Sequence, residues 1–192
     1  LSTGVGTGGD AQGDVLTGIE NLVGSPNNDT LSGDAMDNIL DGGAGDDIIG
    51  GGAGADTLIG GPGADALDGR TNPVGMPDFA SYVNSPAAVT IDLGANTASG
   101  GDAAGDSFAG IGGLNGSPFD DSLMGDANAN TLLGNAGADR IDGGDGDDLI
   151  EGGAGADALE GGIGNDTASY RNAPAPITEI VVDLIAGVGA ES

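Results

Sequence analysis

From Leu31 to Leu67 the chain places an aliphatic residue at every ninth position: Leu31, Leu40, Ile49, Leu58 and Leu67. The same spacing returns from Leu123 through Leu132, Ile141 and Ile150 to Leu159. Neither a 3.6-residue helix nor a long alternating strand produces that period. Each aliphatic residue is the middle of a short x-Leu-x or x-Ile-x triplet. The triplet predicts a three-residue strand whose central side chain points inward and whose outer two point away. Between triplets lie glycine-rich turns, as in GGAGDDIIG GGAGADTLI GGPGADALD from Gly42 to Asp68. Eleven units keep the register Gly-Gly-x-Gly-x-Asp-x-(Ile/Leu)-x or a weaker form of it, five from Gly24 to Asp68 and six from Gly116 to Ser169. Short strands and tight turns at constant period predict an all-β, right-handed parallel solenoid in which each unit stacks on the unit two further on.

A larger period lies above the first. GGDAQGDVLTGIENLVGS (Gly8–Ser25) returns as GGDAAGDSFAGIGGLNGS (Gly100–Ser117), 92 residues later. DFASYVNSPAAVTIDL (Asp78–Leu93) returns as DTASYRNAPAPITEIVVDL (Asp166–Leu184). The expected organisation is a first unit over 1–92 with its block at 24–68, a second over 93–183 with its block at 116–169, and the start of a third over 184–192. This makes two parallel β-rolls joined by linkers that carry strands of their own, VTIDL (Val89–Leu93) and EIVVDL (Glu179–Leu184). Tyr82 and Tyr170 are expected to pack over the end of each roll. The chain reads as a section of a larger tandem array.

Composition sharpens this picture. Glycine supplies 42 of the 192 residues and aromatic residues only 3%, so the interior can be no more than a thin aliphatic seam. There are 31 acidic residues against three arginines (Arg70, Arg140 and Arg171), with no Lys, His or Cys, and the net charge is −28. These absences exclude Ser-His-Asp and Cys-His catalysis, an ordinary zinc site and a Walker-type phosphate loop. The negative field disfavours nucleic acid and anionic lipid as partners. No stretch is long and apolar enough to span a bilayer, and Leu1–Asp10 has neither the basic nor the apolar region of a signal peptide. The natural counter-charge is a small hard cation.

Position six of the repeat shows where that cation would sit. It is Asp in nine units and Asn in two, Asn38 and Asn130. Stacked turns put these carboxylates in columns about one strand spacing, ~4.8 Å, apart. Such columns repel unless cations lie between the layers. Turn carbonyls add neutral oxygens, and an oxygen-only set in a flexible turn suits Ca²⁺ better than Mg²⁺. The competing reading is a solvated acidic turn in which Asp serves only as a turn former.

The units resemble the repeat-in-toxin (RTX) calcium-binding nonapeptide. The linkers, with Asp-x-Ala-Ser-Tyr and Gly-Ile-x-x-Leu-x-Gly-Ser, are similar to those between RTX blocks of large type I-secreted toxins of the adenylate cyclase type. The resemblance implies a β-roll that folds on Ca²⁺, export by the type I secretion machinery, and an extracellular or cell-surface location in a Gram-negative bacterium. It implies ions between turns two units apart. The lower turn gives the carbonyls of positions two and four and its Asp; the upper gives the carbonyls of positions one and three and its Asp. Carried over, Gly43, Gly45 and Asp47 face Gly60, Pro62 and Asp65, and Ser25, Asn27 and Asp29 face Gly42, Ala44 and Asp47. In the second block, Asn135, Gly137 and Asp139 face Gly152, Ala154 and Asp157. Gly144, Gly146 and Asp148 face Gly161, Ile163 and Asp166, and Ser117, Phe119 and Asp121 face Gly134, Ala136 and Asp139. Asn38 and Asn130 each remove a charge. A site joining Asp56 to Asp78 depends on how the chain bridges GRTNPVGMPDF after Asp68.

The function expected is a Ca²⁺-dependent folding module of a larger secreted protein, disordered without metal, monomeric as a section, and not an enzyme. The alternative is a rigid spacer or ligand-binding part of an adhesin or surface-layer protein. Anionic polysaccharide is disfavoured by the scarcity of Arg. Ice binding is disfavoured by the mixed position seven (Thr30, Ile39, Ile48, Thr57, Ala66). Carboxylate pairs are plentiful, but no unique constellation breaks the repeat to suggest catalysis.

Overall fold

The computed structural model describes residues 9–70 and 76–171. Among them there are two single 3₁₀ turns, Gly9–Ala11 and Gly101–Ala103, no α-helix, and seventeen short strands. The segment before the first block contributes β1 (Asn21–Val23), and the first block contributes β2 (Thr30–Ser32), β3 (Ile39–Asp41), β4 (Ile48–Gly50), β5 (Thr57–Ile59) and β6 (Ala66–Asp68). The central segment contributes β7 (Phe79–Ser81), β8 (Thr90–Asp92), β9 (Thr97–Ser99), β10 (Ser107–Ala109) and β11 (Gly113–Asn115). The second block contributes β12 (Ser122–Met124), β13 (Thr131–Leu133), β14 (Arg140–Asp142), β15 (Leu149–Glu151), β16 (Ala158–Glu160) and β17 (Thr167–Ala168).

The architecture is a parallel β-solenoid of about eight turns. Each strand in a block pairs with the strand two units later, so Leu40 lies over Leu58, Ile49 over Leu67, Leu132 over Ile150 and Ile141 over Leu159. The three-residue strands present their middle side chains to the interior. Ile49, Leu58, Leu132 and Ile141 are completely buried, and Leu31, at the start of its ladder, retains only 8% exposure. Two such ladders face each other and form the seam predicted from the period. Burying one aliphatic side chain per unit supplies roughly 1.5–3 kcal/mol each.

One face is a single sheet running through both blocks in the order β1-β3-β5-β7-β11-β13-β15-β17. The opposite face is divided into β10-β6-β4-β2 and β16-β14-β12-β8-β9. The central segment fills the seam where the nonapeptides stop: Ala80, Ile91 and Leu114 take inward positions and are buried. Its chain path is reciprocal. β8 runs ahead and pairs with β12, the antiparallel β9 turns back, and β10 then stacks on β6. Each block is therefore closed on its second face by a strand that lies nearer in sequence to the other block. Tyr82 packs into this joint, 2% exposed, whereas Tyr170 stands 41% exposed because no described element lies over β17. The linker strand expected at Glu179–Leu184 lies outside the described residues.

Candidate metal centre

The turn brings a carboxylate back over the first residue of its own unit. A Cβ added at Gly60 would stand 2.2 Å from Asp65 Oδ2, and one at Gly143 would stand 2.2 Å from Asp148 Oδ2. Position one is therefore glycine because the Asp occupies the space of a side chain. At position two the backbone takes positive φ, 97° at Gly43 and 94° at Gly144, which favours glycine. Asn135 holds this position at φ 75°, and its side chain donates to the Gly116 carbonyl at 2.8 Å. Substituting Gly60→Ala is expected to displace the Asp65 carboxylate. Urea denaturation in Ca²⁺ should then show a loss of stability of about 1–3 kcal/mol, as for other overpacked sites.

Adjacent layers are tied through the same carboxylate. Within the stacks, Oδ1 of a position-six Asp accepts the backbone N–H of position six in the turn two units earlier. Asp47 N donates to Asp65 at 2.8 Å, Asp29 N to Asp47 at 2.7 Å and Asn38 N to Asp56 at 2.8 Å. In the second block Asp121 N donates to Asp139 at 2.8 Å, Asn130 N to Asp148 at 2.8 Å, Asp139 N to Asp157 at 3.1 Å and Asp148 N to Asp166 at 3.1 Å. Backbone bonds close the turns further out. Gly45 N donates to Pro62 O at 3.0 Å, Gly137 N to Ala154 O at 3.0 Å and Gly146 N to Ile163 O at 2.8 Å. In return Ala44 N donates to Ser25 O, Ala154 N to Asn135 O and Ile163 N to Gly144 O. Each facing pair of turns expected from the sequence is thus brought together.

The second carboxylate oxygen is the unusual one. Oδ2 of Asp47, Asp56, Asp65, Asp139 and Asp148 is buried with no hydrogen-bond donor. A buried acceptor without a partner costs about 1–3 kcal/mol, and more when it is charged. Among the described residues ion pairs do not relieve it: Arg70 lies 4.0 Å from Asp68 and Arg140 lies 3.9 Å from Glu160, both on the surface. Burial, opposed in part by the backbone N–H bonds and reinforced by neighbouring Asp, raises the carboxyls of Asp47, Asp56 and Asp148. It pushes Asp139 up to about 6 and Asp65 up to about 7. Among the described residues no three acidic side chains converge on one point, so a cation held here would need carbonyl oxygens beside the carboxylates. These residues fit a hard cation: the open oxygens are anionic, buried and backed by stacked turn carbonyls.

The weaker turns differ. The Ser25 backbone donates to Asp29 Oδ2, and both the backbone and the hydroxyl of Ser117 donate to Asp121 at 2.6 Å. At the Asn units the amide oxygen accepts the position-two N–H, from Asp34 to Asn38 and from Asp126 to Asn130, each at 2.8 Å. These four turns satisfy their own position-six oxygen. Gly-rich turns such as that of Asp65 leave it open.

A family model for the RTX calcium-binding nonapeptide repeat (4 copies) matches residues 14–49, 23–58, 48–71, 115–150 and 133–168. The chain belongs to the RTX calcium-binding nonapeptide-repeat family. No curated relative aligns with it.

Beyond the obvious RTX units, the structure adds residues to the columns. Asp56 N donates to Asp78 Oδ1 at 2.7 Å, so the enlarged turn after Asp68 still returns its carboxylate to the register. Asp65 N donates to Asp106 Oδ1 at 2.9 Å, and Tyr82 Oη donates to Asp106 Oδ2 at 2.7 Å. GDAAGDSFA (Gly101–Ala109) is thus a diverged RTX unit, with Asp106 at position six and Phe108 over Leu67. Its Gly, Asp and apolar spacing was the available signal. The intervening residues hid its stacking partner. A second ladder runs at position five in the opposite sense: Asn28 accepts from Asp46 N, Asp37 from Ala55 N, Asp46 from Ala64 N, Asp120 from Ala138 N and Asp147 from Asn165 N. Many of the remaining acids of this RTX chain are therefore structural turn acceptors.

Proposed function

We propose that this calcium-binding β-roll binds several Ca²⁺ ions between stacked turns and that their binding drives its folding outside the cell. The observation that carries the reading is the row of buried Oδ2 atoms without donors in columns that contain no basic side chain. Asp47 with Asp65, Asp56 with Asp78, Asp139 with Asp157 and Asp148 with Asp166 would supply the carboxylates. The carbonyls of Gly43, Gly45, Gly60 and Pro62, and their second-block counterparts Asn135, Gly137, Gly152 and Ala154, would complete the shell. The bound cation supplies positive charge to the column, and the protein supplies a scaffold that places anionic oxygens on either side of each layer. The turns of Asp29 and Asp121, with their second oxygens already hydrogen-bonded, would hold Ca²⁺ less tightly. The repeat is of a structural, non-enzymatic type.

Binding free energy then appears as folding free energy. Extracellular Ca²⁺ modules work at Kd of about 10⁻⁴–10⁻³ M, so such a chain would stay unfolded in a low-Ca²⁺ cytosol, pass a type I exporter, and fold on release. The unbroken eight-stranded face also supports use of the loaded roll as a rigid spacer in a larger secreted protein. Isothermal titration calorimetry tests the site reading. Several Ca²⁺ ions should bind per chain, with Mg²⁺ much weaker, and the pair Asp47→Asn with Asp148→Asn should lower the stoichiometry. Equal affinity for Mg²⁺, or unchanged stoichiometry in the double variant, would defeat it.

A further inference from the structure

Three columns of position-six residues run into the joint between the blocks, and each loses its carboxylate pairing there. In the first, Asp29, Asp47 and Asp65 are followed by Asp106. In the second, Asp78 is followed by Gly112, which has no side chain, and then by Asn130, whose Oδ1 already accepts the Asp126 N–H. In the third, Val89 takes the place before Asp121. Its N–H donates to Asp121 Oδ1 at 2.7 Å, and Ser117 donates to both oxygens of the same carboxylate. Between Asp65 and Asp78 on one side and Asp121 and Asn130 on the other, one layer alone brings two position-six carboxylates together, that of Asp65 and Asp106.

That layer is closed from within the protein. Asp106 is 3% exposed, its Oδ1 accepts the Asp65 N–H, and its Oδ2 accepts the Tyr82 hydroxyl at 2.7 Å. The second oxygens of Asp47, Asp139 and Asp148 have no such donor. The turn is rebuilt around this bond. A Cβ added at position one of a Gly-rich unit would meet that unit's own Asp, as at Gly60, but at Gly101 the nearest atom is the Ser85 hydroxyl oxygen. Ser85 accepts the Asp102 N–H at 3.1 Å and donates to the Ala87 carbonyl at 2.8 Å. The segment after Tyr82 thus lies against the turn, and the Asp106 carboxylate meets Tyr82. Apolar burial holds the rest: Tyr82, Val89, Ile91, Ala103, Ile111 and Leu114 are all interior. Strand pairing leads outward from this core to both blocks, with β7 on β5, β10 on β6, β8 on β12 and β11 on β13.

We propose that the joint is a metal-free coupling: no Ca²⁺ enters between Asp65 and Asp106, the Tyr82 hydroxyl does for Asp106 what an ion does for the open carboxylates, and the two ion-filled blocks order together through it. The inference rests on the reading that the open Oδ2 atoms hold Ca²⁺. Facing carboxylates stop at the joint in all three columns, so bound ions cannot carry order across the centre. Packing and strand pairing must carry it, since each layer of a solenoid touches only its neighbours. Without the hydroxyl, Asp106 Oδ2 would be a buried anion with no donor, a costly arrangement in the one stretch that ions do not stabilise.

Two variants of the full chain test the two halves of the proposal. Asp106→Asn keeps a polar partner for Tyr82, and isothermal titration calorimetry should give it the same number of bound Ca²⁺ ions as the wild type. The pair Asp47→Asn with Asp148→Asn, which should lower that number, is the control. Tyr82→Phe is followed by hydrogen exchange during Ca²⁺ titration, with peptides from 24–68 and 116–169 reporting each block separately. In the wild type both blocks should gain protection at one Ca²⁺ midpoint. In Tyr82→Phe the ion count should be unchanged and the two midpoints should separate several-fold. An ion lost in Asp106→Asn overturns the metal-free layer, and blocks that still share one midpoint in Tyr82→Phe overturn the coupling. Both results leave the calcium reading standing, whereas a wild-type chain that binds no Ca²⁺ defeats that reading and this inference with it.

Discussion

At neutral pH in chelator the chain is expected to show the circular dichroism of a disordered polypeptide, and addition of millimolar Ca²⁺ should restore parallel β-structure in one cooperative step. Without metal the terms opposing the roll are large. Ordering each residue's backbone costs about 1–2 kcal/mol, and glycine loses the most freedom of any residue. A net charge of −28 resists compaction. Against these stands one inward aliphatic side chain per nonapeptide. The carboxylates add a sign that can be checked. Asp65 is pushed up to about 7 and Asp139 to about 6 from an ordinary 3.8, chiefly by burial. The metal-free roll thus binds more protons than the unfolded chain between these values, and its stability falls as pH rises through that window. In chelator, acidification from neutral pH toward 3.8 should therefore recover part of the β signal. With Ca²⁺ present the same acidification should raise the Ca²⁺ midpoint, because protons compete for the open oxygens. A chelated chain that keeps its full strand spectrum at neutral pH would refute the switch.

The second large effect is expected from Leu58→Ala. Leu58 is completely buried, lies between Leu40 and Ala80 in the sheet that spans both blocks, and has only the opposite ladder behind it. Truncation of a buried leucine costs about 2–5 kcal/mol, and a seam one side chain thick has little material with which to collapse into the void. Leu159→Ala, near the uncovered end of its ladder and only partly buried, should cost clearly less. Urea unfolding in saturating Ca²⁺ measures both. Equal losses would mean that the seam is not a continuous core and that each coil stands on its own turns.

Much of this arrangement is legible along the chain, for a simple reason. A solenoid converts sequence distance directly into spatial distance, so a residue and its neighbour in the next layer are eighteen positions apart wherever the repeat is intact. The inner ladder from Leu40 to Leu67, the facing turns of Asp47 and Asp65, and the need for glycine at Gly60 all follow from that conversion. It fails where the period fails. Asp106 is 41 residues from Asp65, and no spacing rule connects them. The pairing of Asp56 with Asp78 depends on an enlarged turn whose closure the sequence leaves open.

By itself, then, the sequence determined the strand unit, the inward positions, the two-unit stacking and the carboxylate columns, because each is set by a local period repeated many times. The tertiary structure alone decided which oxygen of each carboxylate is used. Oδ1 is taken by the layer before it, and in the turns of Asp47, Asp56, Asp65, Asp139 and Asp148 Oδ2 is left buried and open. It alone also decided how the blocks join: β8 crosses to β12 and β10 returns to β6, so each block is closed by a strand from across the joint. That choice rests on contacts made once, between residues far apart in the chain, and a contact made once leaves no period to read.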